Sequence, residues 1–249
     1  MRRSTTIGRR AIVMFTAGAA SLALLAPVAS ASDMPTSKLT HASPSDQGTE
    51  LTPAEYRRYL QSLNNAEADE VRSEFDALSA DDQTKFVNYL QDDQVYRAFI
   101  DTASSGVNAS TSSHTDTRYN ADVTFSRDVE RSRPAASTRL AHWDEKATYT
   151  DKTKILGVTV TTLQVWVRYQ CTRGEVTKVY NSGSGVKNFN AAVSIDGTDA
   201  RPWTAGGKAH AETVWKGSII YKGFGVRIDK KQSLVASWDG HWKGSVKNV

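Results

Sequence analysis

The chain has a single cysteine, Cys171, among 249 residues. No internal disulfide can form, so the fold must rest on a buried core rather than on cross-links. Beyond residue 28 no apolar run is long enough to cross a bilayer, which takes ~20 predominantly apolar residues. The mature chain is therefore expected to carry no transmembrane span. Common catalytic signatures are missing too. There is no G-x-S-x-G elbow, no H-E-x-x-H helix and no phosphate-binding glycine loop ending in Lys-Ser/Thr. These absences argue against the familiar hydrolases and nucleotide-dependent enzymes, and no cofactor is expected. Catalysis by carboxylates from distant strands is left open.

What is present begins with an export signal. Arg2, Arg3, Arg9 and Arg10 precede an apolar run from Ala11 to Val28, which ends in Ala29-Ser30-Ala31, the small-x-small pattern of a signal-peptidase site. Residues 1–31 are expected to be a removable signal peptide, and the protein to be secreted. Gly8-Arg9-Arg10-Ala11-Ile12-Val13 also has the form of a twin-arginine signal.

The formal net charge of +4 conceals an asymmetry. Residues 32–104 carry 6 Lys and Arg against 14 Asp and Glu, a net of −8; residues 105–249 carry 21 against 13, a net of +8. All six tryptophans (143, 166, 203, 215, 238 and 242) lie in the basic part. Opposite charge and unequal aromatic content predict two structural units.

Residues 32–49 are rich in Ser, Thr and Pro and read as a flexible lead-in. Residues 50–101 read as an acidic helical segment. Thr52-Pro53-Ala54-Glu55 has the form of a capping box with proline at the first helical position. Tyr56, Tyr59, Leu60 and Leu63 then fall on one helical face. Further helical faces follow at Val71/Phe75/Leu78, at Phe86/Val87/Leu90 and at Val95/Phe99/Ile100. Residues 102–118 read as a Ser/Thr-rich linker. From 119 onward the period changes to two. Leu163, Val165, Val167, Tyr169 and Cys171 alternate with Gln164, Trp166, Arg168, Gln170 and Thr172, the pattern of a half-buried strand. Strands are also expected at 176–180, 191–195, 213–221, 224–228 and 234–238. Glycine-containing breaks are expected at 182–185 and 206–207, and turns at Asp229-Lys230-Lys231-Gln232 and Asp239-Gly240. The predicted fold class is α+β: a short N-terminal helical segment, then a C-terminal all-β antiparallel sandwich or barrel over 119–249.

The order of leader, acidic helices, Ser/Thr stretch and basic tryptophan-containing β-domain resembles exported proteins of actinobacteria. Leu156-Gly157-Val158-Thr159-Val160 and Trp215-Lys216-Gly217-Ser218-Ile219-Ile220 carry the resemblance. It implies a bacterial source and an extracellular compartment. It implies no activity and assigns no catalytic residues.

Parity puts Cys171 on the inward face of its strand, as a small hydrophobe rather than a nucleophile. His210 and Glu212 share a strand face but lack a third ligand at a known spacing, so no metal site is expected. Asp196-Gly197-Thr198-Asp199 reads as a turn rather than a calcium loop. The better lead is a surface of cations and indoles. Trp166 and Arg168 share the outward face of the clearest strand; Lys216, Lys222, Trp238, His241, Trp242 and Lys243 follow toward the C-terminus. Exposed tryptophan beside Lys and Arg suits a cell-envelope polymer, a glycan or an anionic lipid surface. The bland alternative has the indoles filling a hydrophobic layer and the lysines serving solubility. The leading expectation is a non-enzymatic binding protein, with antagonism toward a competitor's envelope as one form. Alternatives are a hydrolase with an acidic pro-segment, using His210, Glu212 and Asp239, and a protein-protein module such as a protease inhibitor. The acidic segment is itself a candidate intramolecular partner of the basic face. Nucleic acid is not an expected partner.

Overall fold

Thr52 opens the first helix as its sequence pattern requires. Its hydroxyl accepts from the Glu55 amide at 3.2 Å, and the Glu55 carboxylate accepts from the Thr52 amide at 2.8 Å. The computed structural model describes residues 50–110, 112–132, 141–221 and 224–249, without the side chains of 219–221 and 224–228. The expected signal peptide and lead-in, and Lys222, lie outside the described residues. Four helices follow in order: α1 (Pro53–Ser62), α2 (Ala66–Asp76), α3 (Ala80–Leu90) and α4 (Asp93–Ser104). Asn65, Ser79 and Asp92 cap the last three, each accepting a first-turn amide through its side chain. Helices this short are marginal alone in water. They are held by their apolar faces. Tyr56, Phe75 and Phe86 meet with ring centroids 5.0, 5.3 and 5.1 Å apart.

Eleven strands are described: β1 (Val107–Ala109), β2 (Ser113–Arg118), β3 (Val123–Ser132), β4 (Trp143–Ile155), β5 (Val158–Cys171), β6 (Val176–Asn188), β7 (Val193–Gly197), β8 (Arg201–Ala205), β9 (Lys208–Tyr221), β10 (Phe224–Ala236) and β11 (Trp242–Asn248). One sheet runs β2-β3-β4-β5-β6. The other runs β1-β11-β10-β9-β7, with β8 also paired to β9. Every described pairing is antiparallel. The alternation read in β5 decides which face is inside. Val165, Val167, Tyr169 and Cys171 are buried against Ala209 and Ala211 of β9, Leu234 and Ala236 of β10 and Trp242 of β11. The two sheets thus form a sandwich, and the expected α+β class with a C-terminal β-sandwich holds.

Two expectations about organisation are corrected. The stretch 102–118 is not a linker. It finishes α4, pairs β1 with β11 and pairs β2 with β3. Its Ser/Thr composition reflects an edge strand whose side chains mostly face solvent; backbone pairing rather than apolar burial fixes it. The helices are likewise not a separate bundle on a tether. Val71, Phe86, Leu90 and Phe99 share one core cluster with Ile155, Val158, Phe189 and Trp215, near the Leu156-Gly157 turn between β4 and β5. Helices and sheets belong to one compact unit. Asp229–Gln232, expected as a turn, runs through β10. Its polar residues can point inward because they are satisfied there: Gln232 accepts from Trp215 Nε1 at 2.9 Å and donates to Asp151 Oδ2 at 3.2 Å. Asp196 and Gly197 likewise end β7 rather than form a turn. A Cβ on Gly197 would sit 2.4 Å from the Trp215 ring, so glycine there makes room for that buried indole.

Candidate functional site

The inner faces of the sheets carry charge as well as apolar groups. Arg127 of β3 stands opposite Asp151 of β4. Its Nε donates to Asp151 at 3.0 Å, and its two terminal nitrogens donate to the Gly106 and Thr102 carbonyls at 2.8 Å. One guanidinium therefore ties the end of α4 to the interior of the sandwich. Burial pushes the Asp151 carboxyl up, against the pull of Arg127. A second set centres on Glu145, which accepts from Arg131, from the Trp143 indole and from the Tyr169 hydroxyl. Partners within the protein surround these groups, which marks them as internal wiring of the fold.

The outer face of the five-stranded sheet is different. Trp166 and Arg168 point away from the core, as parity predicts. Across the strands, register sets Lys146 and Asn181 on either side of Arg168, and Thr148 and Gly183 on either side of Trp166. The Trp166 indole lies flat over Gly183; a Cβ there would fall 2.5 Å from the ring. The glycine-containing stretch expected as a break at 182–185 is therefore continuous strand, shaped to seat an aromatic ring. Lys146 Nζ stands 4.5 Å from the centroid of the same ring. Tyr180 is 39% exposed, with Arg168 and Lys178 at 5.6 and 5.1 Å from its ring centroid. Its hydroxyl donates to Asp144 at 2.9 Å and accepts from Gln170 at 3.1 Å. The Asp144 bond, then burial, raises the Tyr180 phenol. Three cations and two rings thus form one polar lattice, with an amide and a single carboxylate between them. Tyr180, Lys146 and Gly183 were not legible in the sequence, because only register places them beside Trp166.

The remaining predicted residues do not join this face. Lys216 and Lys243 lie on the outer face of the six-stranded sheet, since their neighbours Trp215 and Trp242 point inward. Trp242 is 1% exposed and Trp238 lies half-buried against the same core, so neither offers a free indole. The reason is parity: Trp242 alternates inward with Gly244 and Val246, and Gly244 makes room for the Tyr149 ring, since a Cβ there would fall 2.8 Å from it. His241 sits in the turn before β11, 2.9 Å from Asp239.

His210, Glu212 and Asp239 do not converge. His210 stacks on Trp203 with centroids 4.9 Å apart, and Glu212 lies 3.7 Å from Lys231. Asp239 is engaged by the Ser237 hydroxyl and the His241 amide. Cys171 is buried, as its parity predicts. Among the described residues no group of three His, Cys, Asp or Glu is placed to hold a metal, and no helix is long and apolar enough to cross a membrane.

One titratable cluster lies at the sheet edge. His114 of β2 places Nδ1 on Asp128 and Nε2 3.2 Å from Asp116, while Lys152 reaches Asp128 at 2.8 Å. Ionised carboxylates only accept, so two of them on one ring favour the imidazolium. The bonds to Asp128, then Asp116, raise the His114 pKa. Burial alone would raise the Asp128 carboxyl, but Lys152 and His114 hold it below its usual range. A histidine raised in the folded state adds stability that is full below its unfolded pKa of ~6.5 and is lost as pH rises through the folded value. Protection of the β2 amides, taken relative to their intrinsic base-catalysed exchange, should therefore fall above that value, with an NMR titration of His114 centred above ~6.5. In His114→Gln the pH step should vanish; a step that persists would place its origin elsewhere.

No protein-family model matches the chain, and no curated protein and no solved structure matches it either.

Proposed function

We propose that this is an exported, non-enzymatic protein that binds an acidic glycan of a cell envelope through the outer face of its five-stranded sheet. The observation that carries this reading is the lattice of Trp166, Tyr180, Lys146, Arg168 and Lys178. Pyranose rings stack on indole and phenol faces, and carboxylate or phosphate substituents pair with ammonium and guanidinium groups. Gln170 and Asp144 add hydrogen-bonding groups of the kind that recognise hydroxyls. An open sheet face suits an extended chain better than a compact small molecule, which prefers a concave site. Antagonism toward another cell's envelope is one use of such binding. The hydrolase reading is less favoured because His210, Glu212 and Asp239 each face a different partner.

Pull-down of the full chain with cell-wall sacculi, before and after removal of their anionic polymers, checks the proposal across a salt series. Binding should weaken as salt rises, because exposed charges are screened within ~10 Å at 0.1 M ionic strength. Trp166→Ala and Arg168→Gln should each lower affinity about tenfold, roughly the 1–2 kcal/mol of a cation–aromatic contact. Failure to bind either preparation at every salt concentration would overturn the proposal, as would full binding by both variants.

A further inference from the structure

We propose that the outer face of the six-stranded sheet is a second docking surface, fitted to the anionic headgroups of a lipid bilayer. The inference is independent of the glycan reading, because it uses the opposite side of the sandwich. Lys243 and Lys247 lie on one face of β11, four residues and therefore ~13 Å apart. Both are exposed, and neither makes an ion pair among the described residues. Lys231 of β10 stands directly opposite Lys247. Like charges in that position destabilise a sheet, and the nearest relief is Glu212, 3.7 Å from Lys231. Lys216 contributes less, since register places it between Asp196 and Asp229.

Between the lysines the face is not uniformly polar. Val235 lies opposite Lys243 on one side and His210 on the other, and Trp203 of the edge strand β8 lies opposite His210. Trp203 is half-buried, with His210 stacked against it at an interplanar angle of 17°. Two exposed cations without an ion pair among the described residues, a third shared with Glu212, an outward valine and an indole at the rim match an anionic surface. The cations meet headgroup phosphates, and the indole settles at the level where tryptophan is enriched in membrane proteins. A single soluble anion would need convergent donors, and these lysines diverge along the sheet.

Co-flotation of the full chain with vesicles tests this. Vesicles of phosphatidylcholine alone are compared with phosphatidylcholine mixed with phosphatidylglycerol, at low and high salt. The chain should partition onto the mixed vesicles at low salt and leave them at high salt. Replacing Lys231, Lys243 and Lys247 together by glutamine should reduce partitioning on the order of a hundredfold, as about 1 kcal/mol per lysine implies. The same three positions as arginine should restore it, which separates charge from misfolding. Trp166→Ala should leave vesicle binding unchanged, and the triple glutamine variant should keep binding sacculi. Absence of partitioning, equal partitioning onto neutral vesicles, no effect of the triple glutamine variant, no restoration by arginine, or loss in Trp166→Ala would each overturn the proposal.

Discussion

Asp151→Ala is expected to lower unfolding stability by about 3–5 kcal/mol, the cost of leaving a buried partner charge uncompensated. The abandoned group is Arg127, whose side chain is only 11% exposed. It would keep its bonds to the Gly106 and Thr102 carbonyls but lose its only ion-pair partner among the described residues. Gln232 would also lose an acceptor on the inner face of β10. The raised Asp151 pKa carries a further implication. Burial raises it in spite of Arg127, and a buried ion pair is often no more stabilising than well-packed apolar residues of similar volume. Replacing both partners by leucine and methionine should therefore be far milder than Asp151→Ala, and near neutral if Gln232 repacks. Urea unfolding of Asp151→Leu, Arg127→Met and the double variant forms the cycle that measures this coupling. A loss below about 1 kcal/mol in Asp151→Ala, within the range of an exposed pair, would show that water reaches Arg127.

The same buried ions explain what could and could not be read from the sequence. β5 is legible from Leu163 to Cys171 because the buried positions there are Leu, Val, Val, Tyr and Cys. β3 and β4 escaped notice because Arg127, Arg131, Glu145 and Asp151 occupy inward positions among Val, Phe and Tyr. Strands such as Val123–Ser132 and Trp143–Ile155 then look polar on both faces. Lys230 and Gln232 disguised the middle of β10 as a turn in the same way. Helix starts were plain, since capping is local and Thr52 and Glu55 are three residues apart. The candidate site was half legible. Parity gave Trp166 and Arg168 an outward face, but Tyr180 and Lys146 meet them only through register across two neighbouring strands. Trp242 sits among His241, Lys243 and Lys247, which suggests an exposed indole, although Val246 four residues on marks the inward parity. Charge segregation along the chain was real, yet it did not mark separate bodies. The acidic helices join the β-layers mainly through apolar residues, with Lys187–Glu67 and Tyr89–Asp122 as polar links.

That shared core makes the second large prediction. Phe86→Ala should destabilise the protein by about 3–5 kcal/mol, the range for emptying an aromatic site in a core. Phe86 is fully buried, with Tyr56 and Phe75 as ring neighbours. Its cluster continues through Ile155 and Trp215 into the sandwich. Damage to the helices should therefore be felt by the strands. Helical circular dichroism and tryptophan fluorescence should fall in one coincident transition in the wild type, and shift together in the variant. A helical transition that moves alone, with fluorescence unchanged, would mean that the helices fold independently. The outcome bears on the acidic segment as a detachable pro-segment. Cleavage after Ser104 would strip cover from Ile155, Val158, Phe189 and Trp215, residues that belong to no outer face. A segment meant to leave intact protein behind would be expected to cover the polar lattice around Trp166 instead. The helices therefore read as part of the folded body.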